Sequence, residues 1–265
     1  MRKTYPTDLS DAQWSRLRSY LPTPKAQGRP RTHSLRDVFD AIFYVLKSGC
    51  HWRLLPHDFP PWSTVYYHFR RFQLNGLWSF ILKALHVAER KRAGKNPQPT
   101  AVLIDSQSVK TVEESSHPSG YNAYKNVKGR KRHLLVDTLG LVLSVYVTSA
   151  DVQDRVGARC LLAGLKPFVP RLKKIWADGA YMGEKLAAWC EEQGGWELEI
   201  VERRSSANTE GFVVLPHRWI VERTLSWLMR NRRLSKDYER LMQSSETFIE
   251  VAMIRLLLRR MEMEA

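Results

Sequence analysis

Near residue 100 the chain changes its hydrophobic period, and that change limits what it can fold into. Before it, apolar residues recur at helical spacing between capping signals. After it, the runs AVLID (101–105), HLLVDTLG (133–140) and LVLSVYVTSA (141–150) have strand character, with Gly140 at the hairpin between the last two. A helix over 154–165, a strand in KKIWAD (173–178), a helix over 184–193, a strand in WELEIV (196–201) and a long helix around Glu222 follow. Three leading strands and then alternating helix and strand predict a mixed α/β sheet, with the first strand central because its run is fully apolar.

The amino-terminal part is punctuated for helices. Leu9, Trp14, Leu17 and Leu21 share a face, with Asp8 or Ser10 as cap and Pro22 as stop. Ser34 caps LRDVFDAIFYVLKSG, which ends at Gly49. Pro61, Trp62 and Ser63 open a helix that ends at Gly76, and LWSFILKALHVAERKR forms the next. These predict a helical, helix-turn-helix-like domain over 1–95 with a basic arm at 22–33. The polar segment AGKNPQPT (93–100) sets the boundary to a second domain over 96–265. The terminal SSETFIEVAMIRLLLRRM is apolar on nearly every turn and predicts a buried packing helix, with a second subunit as another surface it could bury against.

Charge divides along the same boundary. Residues 1–95 carry 17 basic and 6 acidic side chains, whereas residues 136–265 carry 19 and 18. An electropositive amino-terminal part on a nearly neutral remainder points to a nucleic-acid anchor, where a single basic run would only suggest a solvated face. A hydrophobic content of 43% and nine Trp argue against wholesale disorder. Cys50, Cys160 and Cys190 are widely spaced with no CxxC pair, so neither a disulfide framework nor a zinc ribbon is supported. No window reaches the apolar length of a membrane span and the start has no apolar leader core, so a cytoplasmic protein is expected.

Three acids carry the candidate chemistry: Asp105 ending AVLID, Asp178 ending IWAD, and Glu222 within HRWIVERTLSWLMR. If the strands of Asp105 and Asp178 are parallel neighbours, both acids reach the same edge of the sheet. Two strand-end carboxylates and one helical carboxylate can converge on two Mg²⁺ or Mn²⁺ ions, which take oxygen ligands. In a basic protein such a site suggests phosphodiester chemistry on nucleic acid. Each acid also has an ordinary reading. Asp105 can bond its own turn through Ser106 and Gln107, Asp178 can hold an Asp-Gly turn, and Glu222 can pair with Arg218 on a helix surface. Against that last reading, Trp219, Val221, Leu225 and Leu228 make the Glu222 helix apolar on most sides.

Several cations are candidate DNA contacts. Arg29 and Arg31 in GRPR suit an A·T-rich minor groove, or belong to a plain linker. The helix from Ser63 sets Thr64, Tyr67, His68 and Arg71 at helical spacing as a recognition face, with Arg70 and Arg71 toward phosphates. Tyr66, Phe69 and Phe72 are expected in the core. VKGRKRH places Lys128, Arg130, Lys131 and Arg132 before the second strand, as DNA contacts or as edge-strand charge. Arg223, Arg230, Arg232 and Arg233 continue a basic face beyond Glu222, some of them pairing with Asp237 and Glu239.

Nearly the whole chain resembles the DDE transposases of bacterial insertion sequences, in the group called insertion-sequence family five. The resemblance rests on LSDAQWSRLRSYLP, GRPRTHSLRDVFDAIFYVLKSGCHWRLLP, STVYYHFRRF, AVLIDSQSVKT, VKGRKRHLLVDTLGL, ADGAYMG and RWIVERTLSWLMRNRRLSKDYE, in the family's order. It implies a catalytic domain of ribonuclease H-like fold, Asp105, Asp178 and Glu222 as the metal-binding triad, Arg218 as a phosphate contact, and VKGRKRH beside the transposon end. It further implies end cleavage, joining of the 3′-hydroxyls to target DNA, and a homodimer or larger synaptic assembly. Leu215 and Met229 depart from the tyrosine and the basic residue of the wider signature. A cutting-only endonuclease and a non-enzymatic DNA-binding protein are the other readings.

Overall fold

Ser34 and Gly49 bound a helix of fourteen residues, α2 (Leu35–Ser48): the Ser34 hydroxyl accepts from the Asp37 amide at 3.1 Å, and Gly49 closes the end at φ 74°. The computed structural model describes residues 2–23, 32–113, 118–201 and 217–263. Around α2 lie α1 (Asp11–Arg18), shorter than its apolar pattern and capped by Ser10, α3 (Trp62–Leu74) and α4 (Leu77–Arg92). Their aromatic side chains interlock. The Phe39 ring lies 5.2 Å from Trp78, and Phe69 stacks on Phe248 at 4.8 Å. Each such ring, fully buried, contributes roughly 2–3 kcal/mol.

Phe248 belongs to α8 (Met242–Met263), the predicted packing helix. It is buried along most of its length and lies against α4, α1, α2 and α3. No helix among the described residues is long and apolar enough to cross a membrane.

Six strands form one sheet: β1 (Ala101–Lys110), β2 (Gly120–Asn122), β3 (Val127–Asp137), β4 (Val142–Ser149), β5 (Lys174–Ala177) and β6 (Glu197–Ile200). The order is β2-β3-β1-β5-β6, with β4 also along β3, so β1 is central as its apolar run requires. β1, β3 and β4 are antiparallel, whereas β5 and β6 are parallel to β1. The crossovers carry α5 (Asp154–Leu162) and α6 (Glu184–Gly194). This is the ribonuclease H-like fold, preceded by helices.

Strand alternation distributes the sheet between two cores. Leu103, Leu134 and Val136 face the helical core with α8 and α7 (Arg218–Met229), while Val102, Ile104 and Leu135 face Leu161, Ile175 and Trp196 on the other side. Gly140, in the β3–β4 turn at φ 77°, lets α7 approach: a Cβ there would stand 2.8 Å from Thr224 Oγ1. Thr224 donates to the Gly140 carbonyl at 2.7 Å and fixes α7 on the sheet.

The sheet differs from expectation at two places. β1 continues past Asp105 to Lys110 because β3 pairs with it throughout, and β3 begins at Val127, six residues before the apolar run. The segment VKGRKRH is therefore strand, and β2, only three residues long, has no apolar alternation to reveal it.

Candidate active site

The β1–β5 pairing ends at Leu103 and Trp176, two residues short of both Asp105 and Asp178. Beyond that point β5 stops and β1 continues, so the two carboxylates stand side by side where the sheet opens. Asp105 Oδ1 accepts from the Ser106 amide at 2.7 Å. Burial first, and then the charge of Asp178, push the Asp105 carboxyl up to about 6 despite the Ser106 bond and the nearby Arg218 and Lys125. Asp178 Oδ1 caps the short turn at Gly179–Tyr181 by accepting from the Ala180 amide at 3.0 Å.

Glu222 approaches from α7. Its side chain is 60% exposed and meets the others through Arg218, whose guanidinium lies 3.9 Å from Glu222 Oε1 and 3.6 Å from Asp178 Oδ2. The exposure corrects the expectation from the apolar α7 sequence. Ile220, Val221, Thr224 and Leu228 are the buried positions, and Trp219 and Glu222 point outward. The start of α7 is held by a stack of His217 on Trp176, ring centroids 4.2 Å apart, which brings Arg218 beside Asp178.

The carboxylates open on a cleft of about 730 Å³ whose walls include Tyr121, Tyr124, Lys125, Lys131 and Asp154. Asp154 accepts from the Ser106 hydroxyl at 2.6 Å and pairs with Lys131 at 3.2 Å, tying the strand next to Asp105 to the start of α5. Tyr124 is 94% exposed at the mouth. Asp154, Tyr121, Tyr124, Lys125 and the His217–Trp176 stack were not singled out from the sequence. Their only local signal is an acid at a helix start and two tyrosines in a polar turn.

The donor set is all oxygen, as a hard divalent cation prefers. The Asp105 carboxyl is raised first by burial and then by the charge of Asp178 beside it, and two neighbouring carboxylates at one edge of the sheet fit such an ion. Among the described residues no three acidic, imidazole or thiol side chains close on one point, because Arg218 stands between Asp178 and Glu222.

The family profile described as "Transposase DDE domain" matches residues 96–257, more than half of the chain. The chain belongs to the DDE transposase family. Members of this family generally use divalent metal ions. A second profile, "Putative transposase of IS4/5 family", matches residues 9–82. The "Putative transposase for insertion sequence element IS402" of Burkholderia cepacia is 30% identical over 119 residues, 42% of this chain and 54% of that protein. The "Insertion element IS402 uncharacterized 16.2 kDa protein" of the same organism is 27% identical over 110 residues, 39% of this chain and 74% of that protein. The chain thus spans about half the length of the first relative.

The DNA-contact candidates divide sharply within this family member. On α3, Ser63, Tyr67 and Arg71 are exposed, Thr64, His68 and Arg70 half-buried, and Val65, Phe69 and Phe72 buried. Tyr66, expected in the core, is 37% exposed and rests edge-on against Trp52. Lys128 and Arg230 are exposed, whereas Arg130, Lys131, Arg132 and Arg233 are buried. Arg130 pairs with Asp237 at 3.2 Å, Arg132 donates to the carbonyls of Leu234 and Lys236, Lys131 is held by Asp154, and Arg233 pairs with Glu239 at 2.7 Å. Each is buried because a partner from the segment after α7, or from α5, compensates its charge. Arg29, Arg31 and Leu215 lie outside the described residues.

Proposed function

We propose that the protein is the transposase of an insertion sequence, which binds double-stranded DNA at the element's ends, cleaves the phosphodiester there and joins the 3′-hydroxyl to target DNA. The observation that carries this reading is the pairing of Asp105 with Asp178 at the opening of the sheet, under-compensated and in an open cleft. Asp105 and Asp178 would hold divalent metal, with Glu222 completing the set once Arg218 turns from the carboxylates toward a phosphate. Two bound Mg²⁺ or Mn²⁺ ions supply activation of a water or a 3′-hydroxyl and stabilisation of the departing oxygen.

The chain's own residues prepare that site. The Ser106 amide and the Ser106–Asp154–Lys131 chain hold β1 at Asp105. Arg218 presents a guanidinium suited to phosphate oxygens. Tyr121 and Tyr124 offer faces on which unpaired bases stack, with Lys125 beside them for the backbone. The exposed face of α3, with Ser63, Tyr67 and Arg71, would enter a groove of the end sequence. A homodimer or larger assembly would hold two ends together.

The test uses the full chain with Mg²⁺ or Mn²⁺ and duplexes carrying the DNA that flanks its reading frame. Asp105→Asn is expected to lower cleavage and joining by about a thousandfold, about 4 kcal/mol in the barrier, while end binding persists. Full activity in the variant would remove Asp105 from the triad. Pre-cleaved ends that yield no joined product would leave a cutting-only endonuclease.

A further inference from the structure

Five cations gather where three distant stretches of chain meet. Lys47 lies in the last turn of α2, Arg230 and Arg232 flank Asn231 just after α7, and Arg255 and Arg259 are one turn apart on α8. The backbone fixes this meeting. Lys47 Nζ donates to the Arg230 carbonyl at 2.6 Å, and Arg233 Nη1 donates to the Cys50 carbonyl at 3.1 Å. Gly49 lies so close that a Cβ there would stand 3.1 Å from the Arg232 Cβ.

Among the described residues none of the five forms an ion pair. Asp8 and Glu262 line a cavity of about 270 Å³ together with Arg255 and Arg259, and both acids are engaged: Asp8 by Arg2 at 2.9 Å and Glu262 by Gln13. Burial, then the charges of Arg255, Arg259, Arg230 and Arg232, lower the Lys47 ammonium, and burial, then Arg259, push Arg255 down to about 10. Elsewhere the same chain matches its buried guanidinium groups to acids, as at Arg130–Asp237 and Arg233–Glu239. Here, among the described residues, the positive charge forms no ion pair, although like charges held together cost stability.

The arrangement selects its anion. A lone phosphate would engage two guanidinium groups, whereas five cations on three elements suit a chain of regularly spaced charges. Arg230 lies eight residues beyond Glu222 on α7, roughly 12 Å along the helix axis. A duplex lying along α7 from Glu222 to Arg230 covers that distance in about four base pairs. The α3 helix meets α8 at a different place. Its Gln73 meets α8 at Gln243 and Thr247, roughly 12 Å or more along α8 from Arg255.

We propose that Lys47, Arg230, Arg232, Arg255 and Arg259 form a track for the phosphate backbone of double-stranded DNA, a sequence-independent grip on the duplex next to the cleft. It rests on the reading of the cleft as a DNA-processing site. Ammonium and guanidinium groups that meet the backbone hold phosphates and read no bases, so binding there depends steeply on salt and little on sequence.

The experiment measures binding of the full chain to a random-sequence duplex by fluorescence anisotropy across a salt series. Each lost phosphate contact lowers the slope of log K against log salt by about 0.9, so R255Q/R259Q and R230Q/R232Q should each lose about 2 and their combination about 4. R255K/R259K, which keeps the charge, should retain the slope and so separates lost contacts from lost folding. Wild-type slopes in both glutamine variants would overturn the track and leave the transposase reading standing. A wild-type chain with no affinity for DNA would overturn both. Unchanged DNA binding with weakened self-association in sedimentation would assign the surface to a second copy of the chain and equally refute the proposal.

Discussion

Asp105 and Asp137 stand on neighbouring strands of one sheet, three residues of register apart, and their surroundings drive them in opposite directions. Asp137 receives the amides of Leu139 and Leu141 at 2.9 Å each on one oxygen, and His86 at 3.1 Å together with Arg90 on the other. Burial pushes its carboxyl up, but the His86 bond and charge, the Leu141 amide and Arg90 outweigh that and hold it below the usual carboxylate range. Asp105 has the Ser106 amide and a second acid beside it, and is pushed up to about 6. Fold and cleft therefore use the same residue type in two ways. Where a carboxylate is fully satisfied it ties α4 to the β3–β4 turn, and where it is left wanting a cation it belongs to the site.

The largest test of this contrast is to remove the satisfied acid. Asp137→Ala leaves Arg90 and His86 buried without their carboxylate and two turn amides without an acceptor. It is expected to cost about 3–5 kcal/mol of stability, as breaking one side of a buried pair does. Urea denaturation at neutral pH measures it. A loss below about 1 kcal/mol would place Asp137 among ordinary surface acids.

This difference between the two aspartates was only half legible in the sequence. AVLID and IWAD are short, apolar and far enough apart for a crossover helix, so pattern gave the two strands, and the meeting of Asp105 with Asp178 followed only on the condition that they pair in parallel, as they do. Ser34 and Gly49 bounded α2 in the same way, because capping is a local chemistry. Pattern could not show which charges are compensated. Arg130 and Arg132 find their partners between Leu234 and Arg240, about a hundred residues away, and KGRKR as a string looks like any exposed basic run. The exposure of Glu222 is hidden in the sequence for the opposite reason. The apolar residues of α7 leave one stripe to solvent, and Glu222, Trp219 and Ser226 occupy it.

A second test reverses the sign of the first. The Asp105 carboxyl is raised from 3.8 to about 6 in the folded chain, so the folded state binds its proton more tightly than the unfolded state does. Its favourable contribution is complete below pH 4 and is lost as pH rises through about 6. Asp105→Asn removes this loss. In the absence of metal the variant should gain on wild type from pH 4 upward and exceed it by on the order of 2–3 kcal/mol at pH 8. Mg²⁺ should then stabilise wild type above pH 6 and leave the variant unchanged. Parallel pH profiles for the two proteins would mean that folding leaves the Asp105 carboxyl unshifted, and a wild-type advantage that grows with pH would mean that it is satisfied like Asp137.

The smallest effect concerns Arg218, the cation that bridges two acids of the cleft. At 3.6 Å from Asp178 and 3.9 Å from Glu222, with a third of its side chain exposed, it supplies partial compensation of the kind worth at most about 1 kcal/mol in a solvent-screened pair. If it stands in for a metal cation, Arg218→Gln frees Asp178 and Glu222 and Mn²⁺ binds the metal-free protein more tightly, by up to roughly fivefold, the equivalent of that 1 kcal/mol. If instead it orients the carboxylates, the same substitution weakens Mn²⁺. Calorimetric titration separates the two by sign, and only tighter binding is consistent with a cleft whose acids, unlike Asp137, still lack their full counter-charge.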